Sequence, residues 1–302
     1  MLIFNLYGMS MIGSDICGFR LNTTEELCAR WHALGAFYPF SRNHNDYDTI
    51  EQDPAAMGET VLKTAKDSLH IRYYLLPYLY TLFYRSHIYG DTVIRPLFFE
   101  FPDDKKTYTI DDQFLWGSAV LIMPALYQKV TKIEPYFPRG IWYDFSTGKK
   151  YDSKGSTFTM NAAITSINLV VRGGSILPLQ EPSETTTASR KNAFDLFVAL
   201  DEKNEAFGEL YWDDGDSLDT YKNDAYNLIQ LSAKNNVLIS NVVKKGYNDA
   251  MNLKEIRIYG VGHSDLNVTI NGQPMSVNFT KTHIAIDASG FTLLENLKVI
   301  WN

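Results

Sequence analysis

Gly13-Ser14-Asp15-Ile16-Cys17-Gly18-Phe19, answered by Phe37-Tyr38-Pro39-Phe40-Ser41-Arg42-Asn43-His44-Asn45-Asp46, is the pair of segments that decides how this chain is read. Each puts polar, chargeable groups at the end of an apolar run, the pattern of a buried parallel strand that runs out into a ligand-facing loop. Residues 1–12 are nearly all apolar, Gly13 breaks the run and Asp15 follows, which reads as a helix end and a buried strand giving way to a functional loop. Between the segments, Leu27, Arg30, Trp31 and Leu34 have helical spacing behind Thr23 or Thr24 as cap, with Glu25 and Glu26 in the first turn and Gly35 as the stop. Residues 36–40 are a second short apolar run, and Arg42 and His44, two apart on extended chain, point the same way. Strand, loop, helix, strand, loop, with both loops on one face, is the order of an α/β barrel.

Beyond Asp46 the chain is polar to residue 54, and a helix is predicted over residues 54–67. The Leu-, Tyr- and Phe-rich pattern of residues 68–89 is interrupted by Pro77, so it reads as a kinked helix or two joined ones, ended by Gly90. Its stripe of Tyr73, Tyr74, Tyr78, Tyr80, Phe83 and Tyr84 is read as packing against the barrel rather than as a sugar-stacking platform. From Thr92 onward the texture is all-β, with short β-branched and aromatic runs punctuated by Gly, Pro and Asp. Residues 93–101, 114–124, 133–137, 140–144 and 167–172 are among the strands predicted for a first sandwich. Residues 137–144 are read as a hairpin, turned by Pro138 and Gly140 with Trp142 inward. Residues 176–182 close that sandwich, and the small, polar residues 183–192 read as a linker. A second β set runs from Ala193 to Trp301 and includes a type I′ turn at Asn271-Gly272. Residues 211–216 have the acid spacing of a calcium loop, but Lys222 or a neighbour falls where the twelfth-position glutamate is needed, so a turn is predicted.

Composition bounds the function classes. A chain of 302 residues with 45% hydrophobic and 14% aromatic content builds cores for two to three domains, which argues against disorder. A net charge of -7 and a pI near 5.4 argue against a nucleic-acid partner, since phosphate neutralisation needs clustered Lys and Arg. The two cysteines fall in no Cys/His ligand set, so no metal is predicted. There is no apolar run of about 18 residues, the length of a membrane span. Residues 1–12 lack the basic start and small-residue cleavage site of a signal peptide.

The motifs GSDICGF (13–19), TEELCARWHALGAFYPFSRNHND (24–46), LHIRYYLLPYLYTLF (69–83), YFPRGIWYDFSTG (136–148), VRGGSILPLQ (171–180) and ELYWDDGDS (209–217), in register along nearly the whole chain, resemble glycoside hydrolase family 31, the α-glucosidases of acid maltase, maltase-glucoamylase and sucrase-isomaltase type. The resemblance implies the C-terminal end of a (β/α)8 barrel followed by two β-sandwich domains. The expected division is residues 1–92 for the barrel part, 93–182 for a proximal β-sandwich and 183–302 for a distal one. The family's nucleophile lies in a Trp-x-Asp-Met-Asn-Glu segment and its acid/base in an Arg-Trp-x-Gly-Asp-Asn segment. Neither occurs in this sequence, so no catalytic residue is assigned, no cofactor is expected, and the chain alone is predicted to be inactive.

By pattern alone, Asp15 with Arg42 is either a structural ion pair or a grip on sugar hydroxyls, and His44 either a core histidine or a donor. The GxDxCGF and RNHN positions, carried over one by one, imply the grip: Asp15 accepts from vicinal hydroxyls, Arg42 orients Asp15, His44 donates to a ring hydroxyl and Phe19 walls the sugar face, contacts that strengthen as an oxocarbenium-like transition state forms. Trp31 is assigned to the core, and His32, His70, His87, His263 and His283 to structure or surface. Cys17 and Cys28 are either bridged, a closure contributing on the order of 3 kcal/mol, or two buried thiols; the resemblance implies the bridge. Asn22, Asn267 and Asn278 head Asn-x-Thr triplets, and with a disulfide they favour the secretory pathway, lysosomal, secreted or cell-surface. The implied partner is an α-glucoside or oligosaccharide; the alternative is a non-catalytic carbohydrate-binding or accessory β-sandwich. Unpaired strand edges near Met1 predict poor solubility in isolation.

Overall fold

The computed structural model describes residues 1–262 and 266–302, so His263 lies outside the described residues. The chain divides into two compact units, one of Met1–Arg72, Arg85–Arg139 and Ser153–Val170, the other of Tyr73–Tyr84, Gly140–Asp152 and Val171–Asn302. No helix among the described residues is long and apolar enough to cross a membrane.

The first unit opens on α1 (Leu2–Leu6), the expected helix end, but no buried strand follows it before Gly13. A short apolar run does not by itself distinguish strand from helix, and here Gly8 at φ +83° ends the helix while Ile3, Tyr7, Met9 and Met11 stay more than half exposed. The buried Asn5 ties α1 down: its Oδ1 accepts from Val93 N and Ile94 N, both at 3.2 Å. Helix α2 (Glu25–Gly35) forms as its pattern predicts, with Thr24 Oγ1 accepting from Leu27 N at 3.3 Å and Cys28, Ala29, His32 and Ala33 turned inward. Helix α3 (Glu59–Tyr74) starts five residues later than expected, because Gly58 sits at φ +102° and residues 54–57 form a turn capped by Asp53. It stops before α4 (Leu76–Tyr89), whose first turn holds Pro77, a residue without an N–H to continue the preceding helix.

Residues 93–101 are not one strand. Only Ile94–Arg95 pairs, with Leu115 and Trp116, and Pro96 then caps a helical turn at Leu97–Glu100. Phe114–Trp116 and Val120–Met123 form an antiparallel pair, while Tyr136–Phe137 pairs with Ser156–Thr157 instead of folding back on residues 140–144 as a hairpin.

Among the described residues the second unit is built on an eleven-stranded sheet with strands β1 (Ser175–Gln180), β2 (Phe194–Ala199), β3 (Ala206–Trp212), β4 (Asn227–Lys234), β5 (Val237–Lys245), β6 (Leu253–Tyr259), β7 (Val268–Ile270), β8 (Gln273–Pro274), β9 (Val277–Phe279), β10 (His283–Asp287) and β11 (Leu297–Trp301). Their order is β8-β7-β11-β5-β4-β3-β1-β2-β6-β10-β9. Strands from both halves of that order feed one core, including Leu196 and Val198 of β2, Leu210 and Trp212 of β3, Ile256 of β6 and Val299 and Trp301 of β11, so the sheet folds over itself as a sandwich. The edges β8 and β9 are only two and three residues long, and β8 contains Pro274, which limits edge-to-edge pairing. Asn271 and Gly272, at φ +51° and +83°, make the expected I′ turn.

Two expectations fail here. Strand β1 belongs to this sheet, pairing antiparallel with all six residues of β2, rather than closing the preceding sandwich. Residues 183–192 are not a loose linker: Thr185 caps a helical turn at Thr186–Ser189, and Gln180 Nε2 donates to the carbonyls of Arg190 and Asn192. The aromatic stripe is also reassigned, because Tyr73–Tyr84 belongs to this second unit. Strand β2 is buried on both faces; on the face away from the core, Tyr74 donates to Asp195 (2.5 Å), Phe145 and Tyr259 stack on Phe197, and Tyr84 stacks on Tyr211 of β3 at 4.1 Å.

Candidate functional site

Backbone hydrogen bonds zip together the two segments with which the sequence analysis began. Phe40 N donates to Ile12 O (3.1 Å), Ile16 N to Arg42 O (2.9 Å) and Asp46 N to Phe19 O (2.9 Å), and Ile16 and Asn43 form one parallel bridge. That bridge is all that remains of the two expected strands. Residues 36–40 cannot enter a ladder: the N–H groups of Ala36, Phe37 and Tyr38 are spent on the last turn of α2, and Arg72 takes the carbonyls of Ala36, Tyr38 and Pro39 at 2.6, 2.6 and 3.0 Å. Close approach of the segments depends on Gly13, where a Cβ would lie 1.8 Å from Phe40 O.

After Asp15 the chain reverses through Cys17 and Gly18, both left-handed at φ +73° and +94°, with Gly18 N donating to Asp15 O. The Cys17–Cys28 disulfide pins this turn to α2. Arg42 Nη2 then donates to Asp15 Oδ1 at 3.0 Å, and the Phe19 ring lies 5.3 Å from the His44 ring, tilted by 32°. Arg42 and His44 are exposed while Asn43 between them faces inward, as the two-residue period predicts. The Asp15 and Arg42 side chains remain 30% and 50% exposed. A pair that open contributes little stability and keeps its remaining lone pairs and N–H groups free to meet a polyhydroxylated ligand.

Beneath this surface lies a layer that sequence reasoning did not assign. Asn43 Nδ2 donates to Gln52 O (2.7 Å), and Gln52 Nε2 reaches Asn43 Oδ1 (3.3 Å) and Ile16 O (3.4 Å), bracing the bridge that carries Asp15 and Arg42. Asn43 was legible as the inward position of Arg42-Asn43-His44, whereas Gln52 sits in a polar stretch without periodicity. Trp31 packs against the small core of Ile16, Cys17, Cys28 and Ala29, as assigned. Asn22 is in the same loop cluster, its Oδ1 accepting from Ile50 N. Asn267 pairs its backbone with Asn302, and Asn278 is exposed on β9.

His32 is buried under the disulfide, 3.3 Å from Asn43 Nδ2. Cys17, Cys28 and His32 bring possible ligand atoms within 4.8 Å of one another, but the two sulfurs are bonded to each other and offer no thiolate pair. Burial pushes the His32 imidazolium down to about 4, against a smaller opposing pull from Asp53. The unfolded chain therefore binds a proton that the folded chain refuses, and the sign follows: stability from neutral His32 is complete above about pH 6.5, declines as pH falls, and is gone near pH 4, a span of roughly 3 kcal/mol. Urea midpoints measured at pH 7 and pH 4.5 should show this fall, and His32→Gln should flatten it; an equal fall in the variant would remove His32 as the cause.

A sequence model described as "Glycosyl hydrolases family 31 TIM-barrel domain" matches residues 1–82, and one described as "Glycosyl hydrolase family 31 C-terminal domain" matches residues 90–177. Lysosomal alpha-glucosidase of Mus musculus is 46% identical over 298 residues, covering 92% of this chain and 31% of that protein. Intestinal sucrase-isomaltase of Homo sapiens is 44% identical over 317 residues, covering 100% of this chain and 17% of that protein. The crystal structure of glucosidase II alpha subunit in its Glc1Man2-bound form superposes with a TM-score of 0.90 at 26% identity, covering 100% of this chain and 36% of that one. The class these matches define is that of the glycosyl hydrolases in which the end of a barrel is followed by further C-terminal domains. The chain belongs to glycosyl hydrolase family 31, and it spans about a third or less of the length of these relatives.

Proposed function

We propose that this chain is the C-terminal portion of a retaining α-glucosidase that removes terminal α-linked glucose from oligosaccharides or glycogen, and that Asp15, Phe19, Arg42 and His44 form part of the subsite holding the glucosyl unit. The observation that carries the reading is the Asp15–Arg42 pair at 3.0 Å, half open to solvent beside the Phe19 and His44 rings on braced loops. One carboxylate oxygen of Asp15 is held by Arg42; the other can accept from vicinal hydroxyls while the guanidinium donates to a neighbouring oxygen. The chemistry of bond cleavage needs two carboxyl groups about 5–5.5 Å apart, and the segments that carry them in the family do not occur in this sequence. The relatives' names, lysosomal and intestinal, support a secretory-pathway location with glycans on Asn22, Asn267 and Asn278. For the domain division we propose barrel, proximal and distal parts, with β1 counted in the distal one.

Calorimetric titration of the 302-residue chain with maltose tests the subsite. Asp15→Asn and Arg42→Ala are each expected to weaken binding about tenfold, the loss of one charge-assisted hydrogen bond; undiminished binding in both sinks the assignment. Hydrolysis of p-nitrophenyl α-glucoside by the unmodified chain is expected to be absent, and turnover that disappears with Asp15→Ala would overturn the view that this chain only grips the sugar.

A further inference from the structure

A second concave site lies wholly within the second unit, in a cleft of about 600 Å³ between the end of α3, the start of α4, the helical turn at Thr186–Ser189 and the loop that follows β3. Its floor is rigid. Trp212 is 2% exposed, donates Nε1 to Asp249 Oδ2 at 2.9 Å, and carries the Arg190 guanidinium at 3.7 Å over its ring. Arg190 in turn donates to the Asp213 carbonyl, and Tyr80 donates to Asp213 Oδ1 at 2.8 Å. The backbone of Tyr247 is held by both amide atoms of Asn227. Walls fixed in this way lose little conformational freedom when a ligand arrives.

The chemistry of the lining narrows the ligand. Three carboxylates, Asp214, Asp216 and Asp249, stand against two cations, Arg190 and Lys191, which disfavours an anion. A metal ion fares no better: among the described residues no three of these carboxylates gather oxygens within 4.8 Å of one another, where a hard cation takes six or more oxygens. The place for an organic cation on the indole is filled by Arg190. Tyr80 is likewise covered by Arg190, 5.6 Å from its ring, so what remains is the pair of aromatic rings Tyr73 and Tyr247 beside a carboxylate and an ammonium at the rim, the arrangement of apolar walls with a few convergent polar groups that marks a small-molecule site. Aromatic planes meet the C–H face of a pyranose, and Asp216 and Lys191 meet its hydroxyls.

We propose that this cleft is a second, non-catalytic binding site for a neutral glucan chain, separate from the Asp15 loops. The choice of glucose polymer as ligand rests on the glycosidase reading above, while the cleft's preference for an uncharged polyol stands on its own lining. Burial, helped by the neighbouring carboxylates, holds the Tyr247 phenol above its ordinary value, so it stays protonated as a donor to a sugar oxygen.

Electrophoresis of the full 302-residue chain through a gel cast with glycogen, followed by calorimetry with maltoheptaose, tests the assignment. The chain is expected to be retarded. Tyr73→Ala/Tyr247→Ala should raise the maltoheptaose Kd at least about tenfold, and Asp216→Ala, an exposed change that does not threaten folding, should raise it severalfold. Retardation should survive Asp15→Asn/Arg42→Ala. Absence of retardation in the unmodified chain overturns the proposal, and so does retardation that Asp15→Asn/Arg42→Ala abolishes while both cleft variants leave it intact. Cleft-dependent retardation without maltose binding at Asp15 would uphold this site and count against the subsite reading alone.

Discussion

Asp213→Ala is expected to destabilise the second unit by about 3–5 kcal/mol, the range for removing one member of a buried, fully engaged charged cluster. The carboxylate is 2% exposed and collects four donors: Tyr80 OH (2.8 Å) and Gly215 N (2.9 Å) on Oδ1, Tyr211 OH (3.0 Å) and Thr220 Oγ1 (2.5 Å) on Oδ2. Arg190 stands 3.9 Å from Oδ1 and supplies the balancing charge. Alanine would strand all four donors and leave the Arg190 charge without its counterpart, each a desolvation penalty with nothing returned. Asp213→Asn is the informative companion. It keeps the shape and one acceptor oxygen but turns an NH₂ toward two hydroxyls, which can rotate to accept, so a loss of about 1–3 kcal/mol is expected. Tyr80→Phe removes one donor from a carboxylate that retains three others, and about 1 kcal/mol suffices for it. Because the chain has two units, the readout should be specific to the second, such as hydrogen exchange of β3 and β4 amides with urea. Alanine and phenylalanine variants of equal stability would show that the hub does not act as a cluster.

The same residues show where sequence reading stops. Tyr211-Trp212-Asp213-Asp214-Gly215-Asp216 is legible as a turn, and it is one, with Asp214 capping Asp216 N and Ser217 N. Nothing in its local spacing says that Asp213 faces inward to meet Tyr80, 133 residues earlier in the chain. Likewise the period of residues 68–89 reveals helices and a break at Pro77, but a helical stripe does not say which partner it covers, and here Tyr74, Tyr80 and Tyr84 cover the outer face of the β-sheet. Strand β1 was recognised as a strand yet assigned to the wrong sheet, since an apolar run carries no address. Local signals fared better: the Thr24 cap, the Asn271-Gly272 turn and the alternation of Arg42, Asn43 and His44 depend only on neighbours within a few residues. The Asp15–Arg42 pair is long-range, and it was the family resemblance that chose its sugar-gripping reading over a structural ion pair.

Gly13→Ala is expected to be the most damaging single change in the first unit and to abolish maltose binding with it. The added Cβ would sit 1.8 Å from Phe40 O and 3.0 Å from Phe40 C, both backbone atoms that no rotamer change can move away. The two segments must then part, which breaks the Phe40 N to Ile12 O bond and shifts the register that sets Arg42 3.0 Å from Asp15. A loss of about 3 kcal/mol or more is the scale for overpacking that the backbone must absorb. Two other glycines grade the mechanism. At Gly35 the added carbon would meet Ile16 Cδ1 and Cγ1 at 2.5 Å, the movable end of a side chain, so Gly35→Ala should cost about 1–3 kcal/mol and weaken binding only partly. At Gly8 nothing lies within 4 Å, and only the left-handed φ of +83° opposes a side chain, so Gly8→Ala should cost about 1–2 kcal/mol and leave maltose binding intact. Urea midpoints and maltose affinity measured across the three variants should fall in that order. A Gly13→Ala chain that binds maltose normally would mean that the close approach of the two segments does not position Asp15 and Arg42, and the site would have to be rebuilt around other contacts.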